Sequence, residues 1–131
     1  MSKEYTGKVA AVVIPRTGSE EEFLIAKRSD NGDWEFPGGK HHIDESLKKT
    51  AEREIMEELG LEIQARETSE EHSYTGGGYE IIPVMAEIGE NSFEIELVDH
   101  TDFRWIRPGK VDSLEIDLDN EKKCLEAFDF L

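Results

Sequence analysis

A chain of 131 residues is long enough for one domain with a single core and too short for two ordinary domains, so we expect one domain over residues 1–131. The formal net charge of −16 argues against nonspecific binding to nucleic acid or to anionic membranes, and no apolar run approaches the length of a membrane helix. Because the single cysteine, Cys124, cannot form an internal disulfide and the N-terminus has no signal-peptide core, we expect a cytoplasmic protein.

The first third of the chain predicts two strands. Lys8–Ile14 is a continuous apolar run with several β-branched residues, which is typical of a buried central strand. A polar loop over Pro15–Glu21 is expected to lead into a second strand over Glu22–Arg28. Trp34–Phe36 is expected to be extended, because Pro37 disfavours helix in the residue before it.

A helix is predicted from Asp44 to Leu59, where glycine and proline are absent and good helix formers dominate. Asp44 is the expected N-cap, and Gly60 is the expected stop. Just upstream, Gly38–Gly39 has no side chains, which lets the backbone approach another group closely. One side of the predicted helix carries an apolar residue at every fourth position: Leu47, Ala51, Ile55 and Leu59.

Three glutamates lie within about one turn of each other beside this apolar stripe: Glu54, Glu57 and Glu58. Like charges at this spacing repel, and a bound divalent cation would remove the repulsion. Mg²⁺ takes carboxylate oxygens and keeps waters and substrate phosphates as its other ligands. A solvated acidic helix face is the alternative interpretation in a chain this acidic.

Hairpins are predicted in the middle of the chain. The segment from Leu61 to Tyr74 is expected to form one longer strand with polar outer positions. Thr75–Gly78 is rich in glycine and predicts a tight connection to a returning strand over Tyr79–Ile88. Pro83 inside that strand suggests a sheet edge or a bulge, since proline cannot donate a ladder hydrogen bond.

The last part of the chain predicts one more strand and a closing helix. A turn is expected at Gly89–Ser92 and the last strand over Asp99–Arg107, after which Pro108–Val111 is expected to begin a short helical turn. The amphipathic segment Glu121–Leu131 is expected to be a helix, with Cys124 in the core. Strands on both sides of one helix, followed by hairpins, favour a mixed sheet with helices packed on it, an α/β fold.

The stretch around the predicted helix carries a specific pattern. Gly39, Glu45, Arg53-Glu54, Ile55, Glu57-Glu58, Gly60 and Leu61 occupy every fixed position of G-x5-E-x7-R-E-U-x-E-E-x-G-U, in which U is a bulky aliphatic residue. The chain therefore resembles the Nudix hydrolase family, and the Trp-Glu-Phe-Pro-Gly-Gly-Lys run of Trp34–Lys40 resembles its MutT-type branch. This resemblance implies an α/β/α sandwich around a mixed β-sheet.

The resemblance also implies a reaction, the attack of water on phosphorus in a pyrophosphate linkage, with Mg²⁺ as cofactor and Mn²⁺ as an alternative. Arg53 is expected to orient the glutamates through an ion pair with Glu45, and Glu54 is expected to be a metal ligand or the general base. The metal ligands that the resemblance implies are the Gly39 carbonyl, Glu54, Glu57 and Glu58.

Several residues outside this pattern are candidates for contacts with substrate. Lys40 is a candidate phosphate contact, while Tyr79 and Phe36 are candidates for stacking on a nucleobase. Core packing is the alternative for Phe36, and a solvated loop pair is the interpretation favoured for His41–His42. Four later acids are candidates for an additional metal ligand or for the general base: Glu94, Glu96, Asp99 and Asp102.

The expected substrate is a nucleoside diphosphate linked to another group, foremost a nucleoside triphosphate cleaved to nucleoside monophosphate and pyrophosphate. ADP-ribose and dinucleoside polyphosphates remain alternatives. A nucleotide-binding sensor without turnover is an alternative of a different class. The expected partner is thus a small nucleotide, with no nucleic acid and no membrane, and a homodimer is an expectation taken from the family.

Overall fold

The structure is a computed structural model that describes residues 4–89, 94–107 and 122–128. Its strands are, in chain order, β1 (Tyr5–Val13), β2 (Pro15–Arg16), β3 (Ser19–Arg28), β4 (Trp34–Glu35), β5 (Gly38–His42), β6 (Ile63–Thr68), β7 (Tyr74–Gly76), β8 (Tyr79–Ile88) and β9 (His100–Ile106). The helices are α1 (Leu47–Leu59) and α2 (Lys122–Ala127), with a short 3-10 turn at Glu70–His72. No helix of the described part is long and apolar enough to cross a membrane.

The strands form two sheets. The larger sheet is mixed, with the order β5-β1-β8-β6 and with β7 also paired to β8; β1 and β8 are parallel, and the other pairs are antiparallel. In the smaller, antiparallel sheet β3 pairs with β2, β4 and β9. The amide of Leu24 donates to the Ile14 carbonyl at 3.1 Å, and this bond joins the second sheet to the chain leaving β1.

Alternate residues of β1 face two different cores. Val12 packs with Ile55 of α1 in one core, and Val13 packs with Leu125 of α2 in the other. All four side chains are almost fully excluded from water, which stabilises the fold by about 1.5–3 kcal/mol each. Because each helix covers its own face, the structure confirms the predicted α/β/α sandwich and the predicted core position of Cys124, which also lies on the α2 side.

Helix α1 begins two residues later than the sequence suggested, and Asp44 is not its N-cap. Ser46 has an extended backbone (φ −79°, ψ 163°), and its hydroxyl accepts the amide of Lys49 at 3.1 Å. Asp44 lies two positions before Ser46, in a turn, too early to reach the free amides of the first helical turn. The predicted stop is confirmed, since Gly60 is left-handed (φ 65°) and its amide bonds to Met56.

Two predicted segments are subdivided in the structure. The loop expected over Pro15–Glu21 is a short hairpin, in which β2 turns back into β3 with Arg16 opposite Ser19. The single strand expected from Leu61 to Tyr74 is wrong, because β6 ends at Thr68 and the 3-10 turn intervenes before β7. The predicted strands β8 and β9 and the glycine connection before β8 are confirmed. The helix predicted over Glu121–Leu131 is confirmed for Lys122–Ala127, and its residues 121 and 129–131 lie outside the described part of the chain.

Pro83 lies in an interior strand, so the edge position, one of the two alternatives predicted for it beside a bulge, is wrong. On one side β8 pairs with β1; on the other, its partners are β6, which ends at Thr68, and β7, which begins at Tyr74. Pro83 falls between these partners, and its carbonyl accepts the amide of Ser69 at 2.9 Å. Because the N–H and C=O of a strand residue point the same way, the missing N–H faces this gap and leaves the β1–β8 ladder intact.

The expected turn at Pro108–Val111 lies outside the described residues, as does the turn at Gly89–Ser92 from residue 90 onward.

Candidate active site

A cavity of about 770 Å³ opens beside α1, β5 and the start of β9. This volume is within the range of small-molecule sites in proteins. Its lining contains five acids, Asp30, Glu35, Glu54, Glu58 and Asp99, together with His100 and Arg28. The aromatic part of its lining consists of Tyr5, Tyr74 and Tyr79 with Ile81, and Gly38, Gly39 and Lys40 also line the cavity.

The glycine pair makes the close approaches that the sequence predicted. A Cβ atom on Gly38 would overlap the Ala10 carbonyl oxygen across the β1–β5 ladder. A Cβ atom on Gly39 would overlap the carboxylate of Glu54. The backbone of β5 therefore lies directly against the acidic side chain of α1, which is possible only without side chains at both positions.

Glu58 is the most strongly perturbed acid of the cavity. Burial, and next the charge of Glu54, raises its pKa to about 8, while the charge of His100 acts in the opposite direction. Its Oε2 atom is buried and has no hydrogen-bond partner. A buried carboxylate oxygen without a donor is costly, and its chemistry fits a hard divalent cation.

Glu57 differs from its two neighbours. Its side chain is 56% exposed, its carboxylate lies 3.4 Å from Nη1 of Arg53, and it does not line the cavity. Within the described ranges no three His, Cys, Asp or Glu side chains already form a metal-binding group. The geometry therefore fits a cation held by Glu54, Glu58 and the adjoining Gly39 backbone, whereas the role of Glu57 as a ligand stays a prediction.

Arg53 makes the ion pair with Glu45 that was expected of it. Its guanidinium donates to Glu45 at 2.7 and 3.1 Å, to Glu54 at 2.7 Å and to the Lys40 carbonyl at 3.0 Å. The hydrogen bond from Arg53 lowers the pKa of Glu45 to about 2, and the same contact raises the pKa of Arg53. Arg53 thereby fixes the position of Glu54 relative to β5.

The candidate substrate contacts fall in two environments, one around Lys40 and Tyr79 and the other around Phe36. The ammonium of Lys40 lies 5.4 Å from the Tyr5 ring centre and 5.3 Å from the Tyr79 ring centre. Phe36 is only 4% exposed and packs edge-on against Phe23, so it is a core residue that also contributes to the cavity wall. Both the stacking role of Tyr79 and that of Phe36 stay predictions.

Of the four later acids, only Asp99 lines the cavity. It has a left-handed backbone (φ 65°), and its carbonyl accepts the amide of Ser29. Asp102 bonds the amide of Phe103 on the exposed side of β9. Glu94 and Glu96 do not contribute to the lining. Asp99 is therefore the one of these acids that the fold brings to the site.

Sequence reasoning missed the pair Glu35–His100. His100 is buried, its Nε2 lies 3.3 Å from Glu35 Oε1, and its Nδ1 has no hydrogen-bond partner. The hydrogen bond to Glu35 raises the pKa of His100. Glu35 also lies 3.6 Å from Arg28. The only signal in the sequence was the acid in the Trp34–Lys40 run, and nothing local joins it to a histidine 65 positions away.

The interpretation of His41–His42 as a solvated loop pair is wrong, because both belong to β5. His41 Nε2 lies 2.6 Å from the Glu45 carbonyl, and its Nδ1 lies 2.8 Å from the Thr6 hydroxyl. His42 is 5% exposed and meets the Tyr5 ring edge-on at 4.8 Å. The two histidines connect β5 to the start of β1.

Fold and site together define an α/β/α protein whose carboxylate-lined cavity suits a divalent cation and a phosphate ligand. The family described as NUDIX domain matches residues 7–128. The chain therefore belongs to the Nudix hydrolase family, as its sequence predicted.

Two individual proteins are similar to this chain in sequence, and one solved structure is similar to it in fold. The CTP pyrophosphohydrolase of Escherichia coli is 39% identical over 69 residues, which cover 50% of this chain and 49% of that protein. The dihydroneopterin triphosphate diphosphatase of Haemophilus influenzae is 28% identical over 124 residues, 82% of this chain and 78% of that protein. The crystal structure of MutT protein from Methanosarcina mazei superimposes with a TM-score of 0.73 at 25% identity, covering 98% of this chain and 96% of the other.

Proposed function

We propose that this protein is a Mg²⁺-dependent hydrolase that cleaves a pyrophosphate bond in a nucleoside diphosphate linked to another group, with Mn²⁺ as an alternative cofactor. The observation that carries the proposal is the unpartnered, buried Oε2 of Glu58 beside Glu54 and the glycine pair. Two acids in one cavity repel each other and repel an anionic substrate, so the site needs a cation to bind phosphate at all.

The proposed holders of the cation are Glu54, Glu58 and the Gly39 carbonyl. When bound, the cation neutralises phosphate charge and lowers the pKa of water. Glu54 is the proposed acceptor of the proton from the attacking water, because Arg53 holds its carboxylate at 2.7 Å beside β5. Asp99 is the alternative acceptor, since it lines the same cavity. Lys40, one residue beyond Gly39, is the proposed phosphate contact.

We propose a nucleoside triphosphate as the preferred substrate, released as nucleoside monophosphate and pyrophosphate. Two observations support this choice. The names of the two relatives above, CTP pyrophosphohydrolase and dihydroneopterin triphosphate diphosphatase, both specify a planar ring carried on a triphosphate. The cavity combines a carboxylate part for phosphate chemistry with an aromatic part for a ring. The cytoplasmic location and the homodimer stay predictions, and light scattering on the purified protein measures the second.

The test is product release from nucleoside triphosphates, ADP-ribose and diadenosine polyphosphates, with Mg²⁺ and with EDTA. We expect Mg²⁺-dependent turnover that falls at least about a hundredfold in Glu58→Gln. The substitution replaces one charged ligand of the cation with a neutral amide, which costs several kcal/mol of transition-state stabilisation. Glu71→Gln, an exposed acid of the 3-10 turn, is the matched control and should behave as wild type. Glu57→Gln measures whether that side chain turns into the site.

Turnover that persists in EDTA, or that survives Glu58→Gln, would refute the proposed site. Nucleotide binding without turnover of any compound would favour the sensor instead. A preference for ADP-ribose or a dinucleoside polyphosphate would keep the chemistry and change the substrate.

A further inference from the structure

We infer that Tyr5 and Tyr79 form the binding site for the planar ring of the substrate, and that this site recognises the ring by stacking and not by reading its hydrogen-bonding edge. The inference rests on the proposed function for the identity of the ligand, a ring-bearing triphosphate. It adds a residue, Tyr5, whose position in the sequence gives no indication of a role.

Tyr5 reaches the cavity because β1 is irregular at its start. Opposite β5, the register shifts between Tyr5 and Val9, and Gly7 within this bulge has φ +85°, a conformation that favours glycine. Bulges of this kind redirect a side chain relative to a regular strand. Tyr5 then lines the cavity and keeps 57% of its surface exposed.

A hydrogen-bond network fixes the bulge to the beginning of the Nudix helix. The Glu45 carbonyl can only accept, so Nε2 of His41 is the donor at 2.6 Å. In the neutral ring Nδ1 is then an acceptor, and the Thr6 hydroxyl donates to it at 2.8 Å. The same hydroxyl accepts the amide of Lys8 at 3.2 Å, inside the bulge. The position of Tyr5 is therefore tied to the residues that carry the chemistry.

Two tyrosine rings flank one point in the cavity. The Lys40 ammonium lies over both rings, at 5.4 Å from Tyr5 and 5.3 Å from Tyr79, and a hydrogen bond to Tyr79 raises the pKa of Lys40. The His42 ring meets the Tyr5 ring in a T-shaped arrangement, with the ring centres 4.8 Å apart. Both tyrosine rings thus turn a face towards one point, which the flexible Lys40 side chain occupies, and Lys40 is one residue from the glycine that borders Glu54.

The described side chains that contact the Tyr5 and Tyr79 rings are Lys40 and His42, and neither is an amide or carboxylate side chain that could pair with the edge of a base. Asp30 and Glu35 line the same cavity but pair with Arg28. Stacking accepts every base because every base has a π face, whereas discrimination among bases requires directed donors and acceptors. We therefore expect the affinity to differ little among the bases and to fall strongly when the ligand carries no ring.

The experiment is calorimetric binding, with Mg²⁺ present, of non-hydrolysable α,β-methylene nucleoside triphosphates and of inorganic tripolyphosphate. Tyr5→Leu and Tyr79→Leu are compared with the matched controls Tyr5→Phe and Tyr79→Phe, which keep the ring. Each Leu variant should weaken binding of the nucleotide analogue about tenfold, while each Phe variant stays within about threefold of wild type. Affinity for tripolyphosphate should not change, and the four bases should bind within about fivefold of one another.

Equal losses for nucleotide and tripolyphosphate, no loss in the Leu variants, no binding of the analogue by the wild type, or a hundredfold preference for one base would each overturn the inference. Hydrolysis is measured separately on the same variants. Absent turnover with tyrosine-dependent binding would refute the proposed function and leave the ring site standing. Metal-dependent turnover with an unchanged KM in the Leu variants would refute the ring site and leave the proposed function standing.

Discussion

Replacing Glu58 with glutamine removes a charge from the interior of the site while keeping the size of the side chain. The pKa of Glu58 is raised from 4.5 to about 8, first by burial and then by Glu54. A raised carboxyl pKa means that the folded protein holds the proton more tightly than the unfolded chain. The contribution of the protonated Glu58 to the free energy of unfolding is complete below pH 4.5 and is lost as the pH rises through 8.

The magnitude follows from this shift. Each pKa unit corresponds to about 1.4 kcal/mol, so an ionised Glu58 costs the metal-free protein at most about 5 kcal/mol. Relaxation and water penetration reduce such costs, and we expect Glu58→Gln to stabilise the metal-free protein by about 2–4 kcal/mol at pH 8.5. For a chain of this length that corresponds to a rise in Tm of about 10 °C. Near pH 4.5 the difference should almost vanish.

The assay is thermal unfolding in EDTA from pH 4.5 to 8.5, with Glu57→Gln as the matched control. Glu57 is 56% exposed, so its replacement should change the free energy of unfolding by no more than about 0.5 kcal/mol. Added Mg²⁺ should raise the Tm of the wild type far more than that of Glu58→Gln. At a Mg²⁺ concentration of a hundred times Kd, the free energy of unfolding of the wild type should rise by about 2.7 kcal/mol. A Glu58→Gln variant that is less stable than wild type at pH 8.5, or whose advantage does not grow with pH, would refute the reasoning.

Three further outcomes are expected. Gly39→Ala should lower kcat at least about tenfold with little change in Tm, because the three atoms nearest to the new methyl all belong to the Glu54 side chain, which must move away. A large loss of Tm with normal kcat in the remaining folded protein would contradict this. Glu45→Gln should destabilise the protein by about 2–3 kcal/mol at pH 7, because the lowered pKa of Glu45 gives stability that is present above pH 4.5 and is lost as the pH falls through 2. In urea unfolding, the difference in the free energy of unfolding between variant and wild type must therefore shrink towards pH 2. Ser46→Ala should cost about 1 kcal/mol in the same urea experiment through loss of the helix cap, and Asp44→Ala, its control, should cost less.

Much of the active-site helix was readable from the sequence because its signals are local. The apolar period predicted the buried Ala51, Ile55 and Leu59 of α1, and Gly60 predicted its end; Leu47 is only half-buried, and Thr50 is buried instead. Glu54 and Glu58 were placed together by one turn of helix, and the approach of Gly39 to Glu54 followed from the missing side chain. The start of the helix was misread, because Asp44 and Ser46 are both good N-caps and the backbone before the helix decides between them.

The parts that were missed depend on distant or irregular contacts. Glu35 meets His100 only because β3 brings β4 and β9 to the same sheet. Tyr5 reaches the cavity through a bulge whose register no period-two pattern reveals. Pro83 was assigned to an edge or a bulge because the gap between β6 and β7 exists only in the folded sheet. Local periodicity carries no information on any of these three.

The central claim is that Glu54 and Glu58 form a cation-dependent site for pyrophosphate cleavage. The most direct test follows a nucleoside triphosphate by ³¹P NMR with wild type and Glu58→Gln, in Mg²⁺ and in EDTA. We predict that the wild type in Mg²⁺ yields nucleoside monophosphate and pyrophosphate, and that the other three conditions leave the substrate intact. Release of nucleoside diphosphate and orthophosphate, or equal product formation in all four conditions, would contradict the account.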